Sequence, residues 1–312
     1  MGNKKGFYIV GIFAACFAIA FLEFGMDNVF VVKDDGLVPV FVTDKLDLQY
    51  ESGKGGTNCY ELDTVLLPNT RIKVAEKREG GVSKIEYYLS KACNGTGYVH
   101  NDFLKKSCGK LHVLSEKNLS ERAVEPAPMP LSRIRKLFEY CINNGVPYCF
   151  GGNNFERIEL PKEYSFSPFG EQVEGGRPYE LRGLDCSGLP YLISNGTLPH
   201  CTRGLDKMGD EVFTFDWQKE YSLEEKERVL GLLRDTDYLV FLHNRNLAKT
   251  VGSGHVIVSF NGGFIEFKNK NCGCVYTDKE HAMERLNSML NASRNSCSNL
   301  FIRRWHPEVI HQ

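Results

Sequence analysis

Residues 184–189 of the chain read Leu184-Asp185-Cys186-Ser187-Gly188-Leu189. The cysteine stands between an acidic residue and a Ser-Gly pair, a pattern typical of a helix start with Asp185 as its cap and the thiol in its first turn. A thiol is a weak nucleophile until it ionises, and a helix N-terminus or a nearby imidazolium favours the thiolate. Cys186 is therefore a candidate nucleophile, although a cysteine without such neighbours is more often a buried structural thiol.

A candidate base follows further along the chain. Residues 254–260 read Gly254-His255-Val256-Ile257-Val258-Ser259-Phe260. Glycines precede His255 and an apolar strand follows it, so its ring is expected to project from a sheet edge toward the helix of Cys186. His200, His243 and His281 are the alternative bases.

A third segment completes an order that is characteristic of one family. Residues 145–152 read Gly145-Val146-Pro147-Tyr148-Cys149-Phe150-Gly151-Gly152. Together with the two segments above, this resembles the NlpC family of papain-like cell-wall cysteine peptidases, over about residues 130–305, with Phe150 in place of the usual tryptophan. The resemblance implies an α+β catalytic domain with helices packed on an antiparallel sheet, Cys186 as nucleophile and His255 as base.

The resemblance also suggests a residue that orients the imidazole. The strand of His255, the turn Asn261-Gly262-Gly263 and a strand from Phe264 to Phe267 give a hairpin signal. The family's polar residue on the second strand is usually His, Asn or Gln, and its position is taken here by Glu266. A carboxylate there accepts a hydrogen bond from Nδ1 of His255 and stabilises the imidazolium, whereas the alternative is a glutamate that faces solvent.

Three more residues acquire roles from the same resemblance. Tyr148 is expected to point its hydroxyl into the cleft and polarise the scissile carbonyl, the alternative being a core tyrosine. Asp185 and Ser187 match positions that hold the free amine of the substrate in some relatives, while Asp185 is equally suited to a purely structural role as a cap.

Two departures from the family pattern surround the nucleophile. Residues 153–184 form an insertion with Glu171 and Glu174, which is expected to line the cleft. Pro190 lacks the N–H that would pair with the carbonyl of Cys186, so we expect a loosened first turn.

The N-terminal half has a different pattern, in which short apolar stretches alternate with turn residues. We predict a small β-barrel at 27–114, with a closing strand from Gly97 to Leu104, that resembles bacterial SH3-like domains. Such a barrel binds wall peptide or packs on its catalytic neighbour, and the alternative is a spacer. A proline-rich linker at 115–130 precedes the catalytic domain at 131–312, whose first helix we predict at 132–144, capped by Ser132 and ended by Gly145.

Residues 1–26 are predicted to be a signal peptide or membrane anchor, because two lysines precede an uncharged apolar run. The sequence leaves open whether this segment is cleaved, lipidated at Cys16 or retained. Export would place the protein in the periplasm or cell envelope.

Composition excludes some partners. The chain has 38 Lys and Arg against 39 Asp and Glu, a balance that gives no field suited to nucleic acid. Its 11 cysteines define no disulfide connectivity, and Cys272 with Cys274 lacks the partners of a zinc site. We expect neither metal nor other cofactor, and the sequence does not indicate an oligomeric state.

The resemblance implies, and we predict, hydrolysis of the bond between the γ-carboxyl of D-glutamate and the diamino acid of peptidoglycan stem peptides or muropeptides. A thiolate attacks and forms an acyl-enzyme. The alternatives are an amidase or acyltransferase on the same scaffold, and a catalytically inert protein that binds the cell wall.

Overall fold

The structure, a computed structural model, describes residues 29–90, 93–111, 126–168, 180–243 and 254–310. The predicted signal or anchor at 1–26, most of the predicted linker, and the acidic residues Glu171 and Glu174 lie outside these ranges. Within the described ranges, no helix combines the length and the apolar character needed to cross a membrane.

The N-terminal half consists almost entirely of strands. They are β1 Val29–Val32, β2 Val38–Phe41, β3 Asp47–Gly53, β4 Gly56–Cys59, β5 Leu62–Leu66, β6 Arg71–Lys77, β7 Val82–Tyr88, β8 Asn94–His100 and β9 Cys108–Lys110, with helix α1 at Asn101–Ser107. In the described residues, an antiparallel sheet runs in the order β5-β2-β8-β7-β6-β1-β9. Alternate side chains such as Ile72, Val74 and Ile85 enter its core. The specific SH3-like barrel stays a prediction, because β3 and β4 belong to a second sheet.

The predicted closing strand is wrong in its second half. Strand β8 ends at His100, and α1 occupies the residues that were expected to continue the strand. The Nδ1 atom of His100 accepts a hydrogen bond from the backbone N–H of Asp102 at 3.3 Å and so caps the helix. This local cap favours a helix where the apolar residues Phe103 and Leu104 had suggested a strand. Both side chains are still buried, but as part of the helix.

The second sheet joins the two halves of the chain. The middle of the chain forms α2 Leu131–Asn144, β10 Tyr148–Cys149, β11 Asn153–Glu159, β12 Ser165–Pro168 and β13 Glu180–Leu184. These strands combine with the N-terminal hairpin in the order β11-β13-β10-β4-β3-β12. Tyr148 pairs with Gly56, where a Cβ would lie 2.0 Å from the carbonyl oxygen of Tyr148, so this close approach requires glycine. The predicted insertion therefore contributes strands β11, β12 and β13 to a sheet shared by both halves.

Helix α2 confirms the predicted first helix to within one residue. It runs from Leu131 to Asn144 and ends at Gly145, whose φ of 56° is left-handed. The predicted cap at Ser132 is wrong, since the helix begins one residue earlier with no side-chain cap at Pro130. A carboxylate oxygen of Glu308 instead accepts the backbone N–H of Leu131 at 3.2 Å.

The third sheet is the core of the C-terminal half. The remaining elements are α3 Gly188–Ile193, α4 Thr202–Leu205, β14 Asp210–Phe215, α5 Leu223–Leu232, β15 Tyr238–Phe241, β16 His255–Phe260, β17 Gly263–Phe267, β18 Cys274–Thr277, α6 Ala282–Asn295, β19 Leu300–Arg304 and α7 Pro307–Ile310. The sheet is antiparallel in the order β14-β19-β15-β16-β17-β18. Helices α2 and α3 cover one face, where Phe138 meets Phe260 edge-on with ring centroids 5.1 Å apart. Helices α5 and α6 cover the other through Val229 and Leu286. The predicted α+β class, with helices packed on an antiparallel sheet, is confirmed for this half, whereas the middle sheet also contains the parallel pairs β10–β13, β10–β4 and β12–β3.

Candidate active site

Cys186 lies in the turn between β13 and α3. Helix α3 begins at Gly188, so the prediction that the thiol belongs to the first helical turn is wrong. A helix that began at Cys186 would need the N–H of residue 190 for the carbonyl of Cys186, and Pro190 has none. With the start at Gly188, the proline falls among the first residues of the helix, whose N–H groups have no intrahelical partner.

Asp185 organises this turn. Its Oδ1 atom accepts the backbone N–H of Ser187 at 2.9 Å and that of Gly188 at 2.6 Å, and it also accepts the Ser187 hydroxyl at 3.0 Å. Its Oδ2 atom accepts the N–H of Gly151 at 3.0 Å. Asp185 therefore caps α3 from outside the helix. The predicted substrate contacts of Asp185 and Ser187 stay predictions, and both side chains are buried.

His200 pairs with the same carboxylate. Its Nε2 atom lies 3.3 Å from Oδ1 of Asp185, and its Nδ1 atom lies 2.8 Å from the hydroxyl of Thr64 on β5. The ring also stacks on Tyr191 at 5.1 Å. Burial alone raises the pKa of Asp185, but the charge and hydrogen bond of His200 and the backbone N–H groups lower it below its ordinary value. Both nitrogens of His200 are used in this packing, so His200 is a poor candidate for the base.

His255 makes the hydrogen bond expected of an oriented imidazole. Its Nε2 atom lies 2.6 Å from Oε2 of Glu266. The predicted partner is therefore correct in identity, but the predicted atom, Nδ1, is wrong. Glu266 lies on the strand that pairs with β16, diagonally from His255, and this offset brings its carboxylate to the far nitrogen. Among the described residues, the Nδ1 atom has no hydrogen-bond partner.

The hairpin that carries this pair is tighter than the predicted three-residue turn. Strand β17 already begins at Gly263, and the turn consists of Asn261 with φ 51° and Gly262 with φ 75°. Two consecutive positive φ values define a type I′ turn, whose twist matches that of the flanking strands. The register is thereby fixed, with Val258 opposite Ile265.

Glu266 is inside the protein, since only 1% of its side chain is exposed, so the alternative of a solvent-facing glutamate is excluded. Arg285 of α6 donates from Nε to Oε1 and from Nη2 to Oε2, each at 2.6 Å. Burial alone raises the pKa of Glu266, but the hydrogen bonds and charges of His255 and Arg285 lower it to about 2. Glu266 is therefore a carboxylate at any physiological pH.

Sequence reasoning missed Arg285. The signal was present, because a glutamate inside the apolar strand Phe264–Phe267 requires a cation from a neighbouring element. Arg285 directly precedes the buried Leu286 on an amphipathic helix, which is where such a cation is to be sought.

The thiol of Cys186 meets strand β16 at its start. It is half-buried, and its sulfur accepts a hydrogen bond from the backbone N–H of Val256, the residue after His255. In the described residues no hydrogen bond joins this thiol to the imidazole itself. Burial and then the charge of Asp185 raise the pKa of Cys186, while the N–H groups of Val256 and Ser187 lower it. The thiol thus ionises at neutral pH only by giving its proton to a base, and catalytic contacts of this kind often tighten only with substrate bound.

Tyr148 lies beside the nucleophile, as the resemblance implies. It pairs with Leu184, which leads directly into the turn of Cys186. Burial, followed by the charges of Asp185 and Cys186, raises the pKa of Tyr148 beyond the physiological range. Its phenol therefore keeps its proton and is available as a hydrogen-bond donor. The assignment to oxyanion stabilisation stays a prediction.

The N-terminal half reaches the same region at three points. Thr64 bonds His200, the ring of Tyr60 lies 5.9 Å from that of Phe150, and Lys270 bonds Glu51 at 2.6 Å. The N-terminal strands are therefore packed against the site rather than held away from it.

His281, a further candidate base, lies on the surface, where it is exposed and pairs with Asp278 at 2.7 Å. His243 follows the end of β15 at Phe241. Among the described residues, no group of three or more His, Cys, Asp or Glu side chains is placed to hold a metal ion, and the cysteines are free thiols. Residues 1–28, with Cys16, are outside this description.

These residues define one class of site, in which a thiol is bonded by the backbone at the start of a strand and the histidine that begins this strand is held by a buried carboxylate. Such a site can transfer acyl groups through a thioester. In a comparison with solved structures, the chain is similar to NlpC1 from Trichomonas vaginalis, with 11% identity and a TM-score of 0.31 over 89% of this chain and 93% of that one. NlpC2 from the same organism gives 11% identity and a TM-score of 0.29 over 90% and 99%. TM-scores of this size do not define a shared fold. No family model matches the chain, and no curated protein matches its sequence.

Proposed function

We propose that the protein is a thiol hydrolase of the papain-like kind, and that it cleaves the γ-D-glutamyl to diamino acid bond of peptidoglycan stem peptides. The observation that carries the proposal is the 2.6 Å hydrogen bond from His255 to the buried Glu266, on the strand whose next backbone N–H bonds the sulfur of Cys186. The sequence segments around Cys186, His255 and Tyr148 supply the substrate class through their resemblance to the NlpC family.

The proposed reaction assigns a step to each of these groups. Nδ1 of His255 takes the proton of Cys186, and the resulting imidazolium is stabilised by the carboxylate of Glu266. The thiolate attacks the γ-carbonyl carbon, and the phenol of Tyr148 donates a hydrogen bond to the oxyanion. His255 then gives its proton to the departing amine, which leaves a thioester on Cys186. Water, deprotonated by His255, hydrolyses the thioester and regenerates the thiol.

The test is digestion of purified muropeptides, with the products weighed by mass spectrometry. A peptidase yields fragments cut after D-glutamate, whereas an amidase would release the whole stem peptide from the glycan. An acyltransferase would convert an added amine into a new amide. Each product has a distinct mass, so one digest separates the three activities.

A second measurement separates all three from an inert wall-binding protein. An active thiol is alkylated rapidly by iodoacetamide at about pH 6, where an ordinary thiol reacts slowly. Peptide mapping identifies the modified cysteine, and the exposed Cys272 is the internal reference. If Cys186 reacts no faster than Cys272 and no muropeptide is cut, the proposed function is wrong.

A further inference from the structure

Arg285 is the second side chain that holds Glu266 in place. The guanidinium forms two parallel hydrogen bonds to the carboxylate, from Nε and from Nη2, each at 2.6 Å. Its remaining terminal nitrogen, Nη1, donates to the hydroxyl of Ser288 at 3.1 Å. Only 12% of the side chain is exposed. A two-point contact of this kind fixes the plane of a carboxylate, which a single contact does not.

The helix that carries Arg285 is anchored on the sheet by its buried side chains. Helix α6 buries Leu286 and Met289 against the face of the sheet from which Phe264 projects, and Glu266 projects from that same face. Oε2 of Glu266 is shared, because it accepts both from Arg285 and from His255. A substitution that removes the guanidinium therefore directly affects Oε2 of Glu266, the atom that orients the imidazole of His255.

The same sheet contains a matched pair without a histidine. Arg304 of β19 donates from Nε to Oδ1 of Asp237 at 3.0 Å and from Nη2 to Oδ2 at 2.7 Å, and the Asp237 side chain is fully buried. The backbone N–H of Arg234 completes the site. This forked ion pair contains no histidine and no thiol, so Arg304 is the control for what such a pair contributes to the fold.

We propose that Arg285 is a positioning residue for the thiol chemistry: it holds Glu266 in the plane and charge state that direct Nδ1 of His255 toward Cys186. The inference rests on the proposed function and deepens it. Around Glu266 the titratable and charged groups are His255 from β16, Cys274 from β18 and Arg285 from α6. The next titratable group is Cys186, whose sulfur is bonded by the backbone N–H of the residue after His255. Asp185 and Tyr148 interact electrostatically with Cys186.

The sign of the effect follows from these charges. Loss of the guanidinium removes the positive charge that offsets Glu266. The negative charge that remains makes a proton on His255 more favourable and a thiolate on Cys186 less favourable. The first change keeps His255 protonated up to higher pH and does not oppose the thiolate, whereas the second raises the pH at which the thiolate first forms. The acid-side midpoint of alkylation therefore moves to higher pH. Loss of the fork also frees the carboxylate to rotate, so the rate at optimal pH falls.

The experiment measures the rate of Cys186 alkylation by iodoacetamide between about pH 4 and pH 10, with circular dichroism as the check of folding at each pH. It needs no substrate. In Arg285→Gln we expect the midpoint to rise by at least about half a pH unit and the plateau rate to fall about tenfold. Arg285→Lys, which keeps the charge but not the fork, should restore the midpoint and only part of the rate. Arg304→Gln should lower the stability of the fold but leave the midpoint of Cys186 alkylation at its wild-type value.

A double variant shows whether Arg285 acts through Glu266. In the Glu266→Gln background, Arg285→Gln should cause little further fall in the plateau rate, because the carboxylate that the fork orients is gone, whereas the effect of the lost charge on the midpoint persists. An equal fall in the plateau rate in both backgrounds, a wild-type profile in Arg285→Gln, or a change in rate and midpoint as large in Arg304→Gln would each overturn the inference. If Arg285→Gln does not fold, Arg285→Lys decides: a wild-type plateau rate would overturn it. A wild-type protein whose Cys186 reacts like a free thiol would overturn the proposed function as well, so the two failures are distinguishable.

Discussion

Two buried His–carboxylate pairs flank Cys186, and their differences show which of them is suited to chemistry. His255 lies 2.6 Å from Glu266 and keeps 17% of its side chain exposed, and no described residue bonds its Nδ1 atom. His200 lies 3.3 Å from Asp185, exposes only 6% and commits its second nitrogen to Thr64. An imidazole with one nitrogen held and one accessible can move a proton, whereas one held at both nitrogens is a packing element.

The two carboxylates differ in the same way. Glu266 is held by side chains alone, an imidazole and a guanidinium, which set its charge and direction. Asp185 is held mainly by backbone N–H groups, which makes it part of the chain path through the nucleophile turn. The first pair should therefore control rate and pH dependence, and the second should control stability.

The largest effect is expected from the reacting groups. Cys186→Ala and His255→Ala should each lower kcat/KM on muropeptides by at least about 10⁴-fold, since the two residues act as one unit. The double variant should be no worse than either single one. Mass spectrometry of the digest measures this, with Cys272→Ser as the control that changes an exposed thiol. Turnover retained in either single variant would show that another residue is the nucleophile or the base.

Two substitutions of Glu266 should weaken the pair of His255 and Glu266 to different degrees. Glu266→Gln keeps a hydrogen-bond acceptor but no charge, so kcat/KM should fall about 10- to 100-fold. Glu266→Ala should lower it by about another tenfold, because it also leaves Arg285 buried without its partner. Steady-state kinetics on one muropeptide give both values. Wild-type activity in both variants would mean that another residue orients His255.

The stability of the protein in acid should report the lowered pKa of Glu266 without any measurement of activity. Pairing lowers its pKa from 4.5 to about 2, so its stabilisation is complete above about pH 4.5 and is lost as the pH falls toward 2. Between about pH 5 and about pH 3, the free energy of unfolding of the wild type should fall by about 2 kcal/mol more than that of Glu266→Gln. Urea unfolding at the two pH values measures the free energies. Equal losses in the two proteins would contradict the lowered pKa.

The second pair should respond to substitution in stability alone. His200→Gln should lower the free energy of unfolding by about 1–2 kcal/mol, because contacts to Asp185 and Thr64 are weakened. The pH profile of Cys186 alkylation should stay unchanged. Urea unfolding and alkylation kinetics on the same preparation test both halves of this expectation. A shifted profile in a folded variant would mean that His200 takes part in activating the thiol.

The sequence predicted local features well and long-range ones poorly. Helix α2 ends at Gly145 as its pattern indicates, and the pairing of His255 with Glu266 follows from a short hairpin. Cys186 was misplaced within its turn although Pro190, four residues later, excluded an earlier helix start. The capping of Leu131 in α2 by Glu308, 177 residues away, has no local signal.

The shared middle sheet shows the same limit on a larger scale. The pairing of Tyr148 with Gly56, and of β12 with β3, joins segments far apart in the chain. Short strands such as β10 contain too few residues for any period to reveal a partner. The sequence therefore indicated two separate modules, whereas strands from both halves are hydrogen-bonded in one sheet.

The smallest effect concerns the substrate's N-terminus, and it sharpens the description of the second pair. A free ammonium beside the nucleophile would need a carboxylate with an unused oxygen. Asp185 already accepts from Ser187, Gly188 and Gly151 and pairs with His200, so little capacity is left for a further charge-assisted hydrogen bond. Selectivity for a free amine should therefore be weak.

The measurement compares kcat/KM on one tripeptide with its N-terminus free and with it acetylated. We expect a preference of about tenfold or less for the free amine, and Ser187→Ala should change the ratio little. Glu51 is an acidic residue near the cleft, but Lys270 and Tyr60 already bond it at 2.6 and 2.9 Å. A preference above about a hundredfold, near 2.7 kcal/mol, would show that Asp185 exchanges one of its internal partners for the substrate. The second pair would then bind substrate as well as shape the turn.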